Sequence, residues 1–111
     1  MVLIKLLQNL GDFMSDWVLI LGGSTGHGAA VAKKLALEGY GIISFHLDRG
    51  DAKKIAQKNI EEINELTNGN CHYFNTNAAS EDVMNDYIPK IKEITSSKPL
   101  KLILHSIAFG T

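Results

Sequence analysis

The residues best placed to do chemistry are a run of glycines with small polar residues between them, Gly22-Gly23-Ser24-Thr25-Gly26-His27-Gly28. Where a strand enters such a loop and a helix leaves it, the first backbone N–H groups of the helix have no partner inside it. Together with the helix dipole they favour a phosphate or pyrophosphate. Glycine lets the backbone approach that ligand closely, and Gly28 removes a Cβ where helix and strand would otherwise collide. The loop lacks the lysine of a nucleoside-triphosphate P-loop, so a dinucleotide is the better ligand. Asp48 stands 20 residues after Gly28, the spacing at which a carboxylate bonds the adenosine ribose hydroxyls of NAD. Arg49, next in the chain, is the alternative, a guanidinium able to hold the 2′-phosphate of NADP. NAD is favoured and NADP stays open.

Other reactive side chains carry weaker signals. His27, His46, His72 and His105 contain no i, i+3 or i+4 pair and no cysteine cluster accompanies them, so no metal site is expected. His27 in the loop and His105 at the end of a strand are positioned to touch cofactor, whereas His72 reads as an ordinary strand residue. Cys71, the single cysteine, reads as a small buried hydrophobe and cannot form an internal disulfide.

These residues need elements to hold them. Trp17-Val-Leu-Ile-Leu21 is a short apolar run ended by Gly22-Gly23, as in a buried parallel strand. Ala29, Ala30, Ala32, Leu35 and Ala36 then make a small-residue helix that stops near Gly39. Ile42 to Phe45 is a second strand. Ala52, Ile55, Ala56, Ile60, Ile63 and Leu66 recur at helical period until Asn68-Gly69. His72 to Phe74 is a third strand, and Ser80 caps a helix with Glu81 and Asp82 at its positive end and Met84, Tyr87, Ile88, Ile91 and Ile94 as its stripe. Pro89 predicts a kink or break in that helix. Leu100 to His105 is a fourth strand. Strands alternating with helices mean βαβ units, hence an α/β chain with a Rossmann-like parallel sheet in the order 3-2-1-4 and flanking helices.

Length and composition set the outer bounds. The 111 residues allow one domain, and 45% hydrophobic with 21% charged residues is globular composition. Eleven Lys plus Arg against twelve Asp plus Glu leave a net charge of −1, which provides no footprint for nucleic acid or an anionic membrane. The apolar opening from Met1 to Leu10 is too short to span a bilayer, and no small-residue cleavage site follows it. Residues 1–13 therefore read as an N-terminal extension and 14–111 as the dinucleotide-binding domain, in a reducing, cytoplasmic setting.

The Gly22, Gly26, Gly28 spacing resembles the fingerprint of the short-chain dehydrogenase/reductase family, with Leu21 where that family usually has Thr. Ala29 stands where the extended branch would have glycine, so the compact branch fits better. Leu104-His105-Ser106-Ile107-Ala108-Phe109 resembles the end of the fourth strand in the enoyl-acyl carrier protein reductases. The resemblance covers residues 15 to 111. It implies that Ser106, Ile107 and Ala108 run beside the nicotinamide ribose, that Asn77 and Ala78 border the adenine, and that His46 occupies the place that decides between NAD and NADP. The family usually has Asp at the position of Asn77, though a neutral amide also bonds an adenine edge. Family members use a Tyr and a Lys, spaced Tyr-x-x-x-Lys or with six residues between. No tyrosine here has a lysine at either spacing, since Ser44, Asn77 and Ile91 stand four residues after Tyr40, Tyr73 and Tyr87, and Leu47, Ser80 and Ile94 seven after. No catalytic residue is assigned.

The resemblance thus implies the NAD(P)-binding portion of an oxidoreductase of fatty acid biosynthesis, truncated after its fourth strand. The parent would be a homo-oligomer that transfers hydride to an enoyl thioester or carbonyl substrate. The alternative is a self-standing module that senses a dinucleotide without chemistry.

Overall fold

The computed structural model describes residues 16–106. Four strands and three helices alternate: β1 (Trp17–Leu21), α1 (Gly26–Leu37), β2 (Gly41–His46), α2 (Asp51–Leu66), β3 (Cys71–Asn75), α3 (Glu81–Ile94) and β4 (Leu102–His105). All strand pairs are parallel and the sheet order is β3-β2-β1-β4. The chain is therefore α/β with the expected Rossmann-like sheet.

The period of two along each strand sorts side chains onto two faces. Val18 and Ile20 of β1 and Ile42 of β2 pack with Ala32 and Ala36 of α1 and Ile63 of α2. Trp17 and Leu19 of β1 and Ile43 and Phe45 of β2 point the other way, where Met84, Tyr87, Ile91 and Ile94 of α3 cover them. The connections β1 to β2 and β2 to β3 step in one direction and place α1 and α2 on the same face. The connection from β3 to β4 returns past β1 and puts α3 on the other, as right-handed crossovers require. On the α3 face, Phe45, Phe74 and Tyr87 form an aromatic cluster with ring centroids 4.8–5.4 Å apart, a spacing at which offset and edge contacts add to area burial.

The expected elements appear with shifted ends. β2 extends to Gly41 and His46, β3 to Cys71 and Asn75, and β4 begins only at Leu102. Ser80 caps α3, its hydroxyl accepting from the Val83 N–H. The break expected at Pro89 does not occur, because α3 runs through it as one helix. Asn85, whose carbonyl loses its donor there, and Pro89 itself are both exposed, so water can satisfy that carbonyl. Ile55, Leu66 and Ile88, placed on helix stripes by period alone, are also exposed. Among the described residues no helix is long and apolar enough to cross a membrane. Residues 1–13, read as an extension, lie outside the described residues.

Candidate functional site

β1 is the point at which the order of the sheet reverses, with β2 on one side and β4 on the other. In open parallel sheets the crevice beyond the carboxyl ends of the strands at such a switch point is where ligands bind. A cavity of about 500 Å³ opens there, and residues just past the ends of all four strands line it. The ladder continues to its rim: Gly22 N–H donates to Phe45 O, Thr76 N–H to His46 O, and Ser106 N–H to Leu21 O, each at 2.8 Å.

The glycine loop forms one wall. Gly22, Ser24, Thr25, Gly26 and His27 reach the cavity, whereas Gly23 and Gly28 are buried behind it. The role of Gly28 is packing: a Cβ there would lie 2.8 Å from the Gly22 carbonyl carbon and 3.1 Å from Gly23 Cα, and closer still to the Gly22 oxygen. The collision that glycine avoids is therefore with the loop's own first turn, rather than with the strand as expected. The N-cap of α1, Thr25, makes no side-chain cap bond, and the first turn holds no acidic residue. The positive end of α1 thus faces the cavity with no acidic side chain in its own first turn.

The opposite wall follows β2. Asp48 lines the cavity, and its Oδ2 accepts from Ser24 Oγ at 2.6 Å and lies 2.6 Å from His46 Nδ1. An ionised carboxylate only accepts, so the pair requires the His46 proton on Nδ1. Both side chains are about nine-tenths buried, at 8% and 10% exposure. The Asp48 N–H donates weakly to Asn75 Oδ1 at 3.3 Å. Arg49, the alternative phosphate ligand, is exposed and does not line the cavity. Asn77 and Ala78 close the side beyond β3, where Asn77 Oδ1 accepts from the Ala79 N–H at 2.9 Å. His105 and Ser106 close the side beyond β4. Ile107 and Ala108 lie outside the described residues.

Several lining residues carried no signal of their own in the sequence. Leu47, 56% exposed, presents an apolar side chain to the cavity, and Phe45 and Thr76 join it. Behind the loop stand Ser44, Asn59 and Tyr73, polar side chains hydrogen-bonded to it. Burial pushes the Tyr73 phenol above its ordinary range, with Cys71 beside it acting the same way and Ser44 opposing. Burial likewise pushes the Cys71 thiol up to about 12, so it is no nucleophile at neutral pH. Among the described residues no group of three His, Cys, Asp or Glu is arranged to hold a metal ion.

No protein-family model matches the chain, and no curated protein matches it either.

Proposed function

We propose that the chain binds a nicotinamide dinucleotide, NAD(H) in preference to NADP(H), in the cavity beyond the strand ends. The observation that carries this reading is the first turn of α1, uncapped and free of acidic side chains, opening into a crevice at the switch point of a parallel sheet. The residues present suit the group. The loop and helix start would take the pyrophosphate, and Asp48, at the end of β2, would bond the adenosine ribose through Oδ1, since both its internal contacts fall on Oδ2. Leu47 and Ala78 offer apolar surface for the adenine, and Asn77 a neutral polar edge. His105 and Ser106 would flank the nicotinamide side. A carboxylate at the ribose disfavours an added 2′-phosphate by like charge, and Arg49 does not line the cavity.

When bound, such a cofactor supplies hydride; this chain's residues supply binding and orientation. The resemblance of the loop and of the β4 end to enoyl-acyl carrier protein reductases supports hydride transfer to an enoyl thioester or carbonyl as the whole activity. A second reading, a dinucleotide-binding module without chemistry, is favoured by the tyrosines. None of Tyr40, Tyr73 and Tyr87 lines the cavity, and the Tyr73 hydroxyl is already bonded to the loop. Calorimetric titration of the chain with NAD+, NADP+ and ATP tests the shared claim. Saturable binding of NAD+, stronger than that of NADP+ and ATP, is expected; no binding of either dinucleotide would overturn it.

A further inference from the structure

The glycine loop is held one peptide plane at a time. Gly22 N–H donates to Phe45 O at 2.8 Å and Gly23 N–H to Ser44 Oγ at 3.0 Å. The Gly23 carbonyl accepts from Tyr73 OH at 2.8 Å, the Ser24 carbonyl from Asn59 Nδ2 at 2.9 Å, and the Thr25 carbonyl from Ala29 N–H at 3.2 Å. Five consecutive peptide planes, from 21–22 to 25–26, are thus anchored, and side chains on three different elements hold the middle three. Each has backing. Ser44 Oγ donates to Ile20 O at 2.6 Å, which leaves its lone pair for Gly23. Lys33 Nζ donates to Asn59 Oδ1 at 2.9 Å and pairs with Glu62 at 2.7 Å, which turns the Asn59 amide nitrogen to the loop.

In a trans peptide the N–H lies opposite the C=O. Fixing the Gly23 and Ser24 carbonyls on Tyr73 and Asn59 therefore fixes the N–H groups of Ser24 and Thr25 on the other side of the chain, and both residues line the cavity. We infer that Tyr73 and Asn59 are positioning residues that hold these two N–H groups ready as donors to the pyrophosphate, with Ser44 fixing the peptide plane before them. The inference rests on the dinucleotide reading above. Donors set before the ligand arrives need no reorganisation when it binds, so losing an anchor should weaken phosphate binding selectively. The raised phenol of Tyr73 keeps that anchor protonated, and so donating, throughout the neutral range.

The test compares Tyr73→Phe and Asn59→Ala with the unaltered chain, titrated with NAD+, ADP and adenosine, the last by NMR shift changes at millimolar concentration. Loss of one orienting hydrogen bond is expected to weaken NAD+ and ADP about tenfold in each variant and to leave adenosine unchanged. Equal NAD+ and ADP affinities in variant and parent would overturn the inference while the dinucleotide reading stands. So would a matching loss for adenosine, which would mark a merely structural role. An unaltered chain that binds neither NAD+ nor ADP would overturn both. Should Tyr73→Phe fail to fold, Asn59→Ala, on the half-buried side of α2, carries the same comparison.

Discussion

Replacing Gly28 by alanine sets two effects of opposite sign against each other. Gly28 lies in helix α1 and is not among the residues with positive φ, so an alanine backbone fits there and would gain about 1 kcal/mol of helix propensity. Against this, the new methyl carbon would stand 2.8 Å from the Gly22 carbonyl carbon and nearer still to its oxygen, so the loop would have to retreat by at least about 0.7 Å to restore ordinary contact. The obstructing atoms are backbone, on planes tied down by the Gly22 to Phe45 and Gly23 to Ser44 bonds, so no flexible side chain can yield. A retreat of that size would stretch one or both bonds beyond useful length, at about 1 kcal/mol each, on top of overpacking of roughly 1–3 kcal/mol. The clash wins, for a net loss of about 2 kcal/mol. Trp17, the single tryptophan and 3% exposed, reports unfolding by fluorescence. The urea midpoint should fall by roughly 1 M, and NAD+ binding should be lost with the loop geometry. Gly26→Ala is the control: with φ +55 and nothing within 4 Å of the added carbon, it should cost only about 1 kcal/mol, from backbone strain alone. A Gly28→Ala chain as stable as the parent, or less harmed than Gly26→Ala, would refute the reasoning.

Three further outcomes follow from the same geometry. Asp48→Ser removes the charge facing a 2′-phosphate and should move preference toward NADP+ in competitive titrations; an unmoved preference would transfer that role to His46. Cys71 holds its proton from its ordinary 9.0 up to about 12 in the folded chain, whereas the unfolded chain ionises near 9. The folded state then binds more protons across that window, so stability is full below pH 9 and falls as pH rises toward 12. Urea midpoints between pH 8 and 11 should decline, and Cys71→Ala should flatten the decline; an equal slope in both would refute the assignment. The chain should give no change in reduced-nicotinamide absorbance with crotonyl thioester, since no tyrosine stands at the cavity; steady turnover would show that another group performs the proton chemistry.

Most of the architecture was legible because its signals are local. An apolar pentad before Gly22-Gly23 can be little but a buried strand, and alternation with helical periods then implies a parallel sheet. Pro89 does not end α3, because the cost of an interior proline depends on whether the orphaned carbonyl meets water, and Asn85 is exposed. The site divided along the same line. Asp48 followed from its spacing after Gly28, whereas Asn77 and Ser106 came only with the resemblance of the segments that follow the third and fourth strands. Ser44 and Tyr73 followed from neither, because their meaning lies in register: Ile20, Ser44 and Tyr73 are direct cross-strand neighbours, so three side chains far apart in sequence line up beneath the loop. Asn59 was hidden in a helix whose polar residues otherwise face solvent.

The two faces of the sheet carry unequal freedom to vary. Beneath α3 the strands present Trp17, Leu19, Ile43 and Phe45, an apolar and aromatic surface of which Phe45 alone reaches the cavity. Substitutions that conserve volume should be absorbed there with small losses, as in other well-packed cores. Beneath α1 and α2 the same strands carry Ser44, His46 and Tyr73, each committed by a hydrogen bond to a particular partner. On that side an apolar replacement of equal size would strand a buried polar group, so sequence drift should concentrate on one side of the sheet. Under selection for binding, a library randomised at both faces should return diverse sequences at the α3 face and near-invariant residues at Ser44, His46 and Tyr73 opposite.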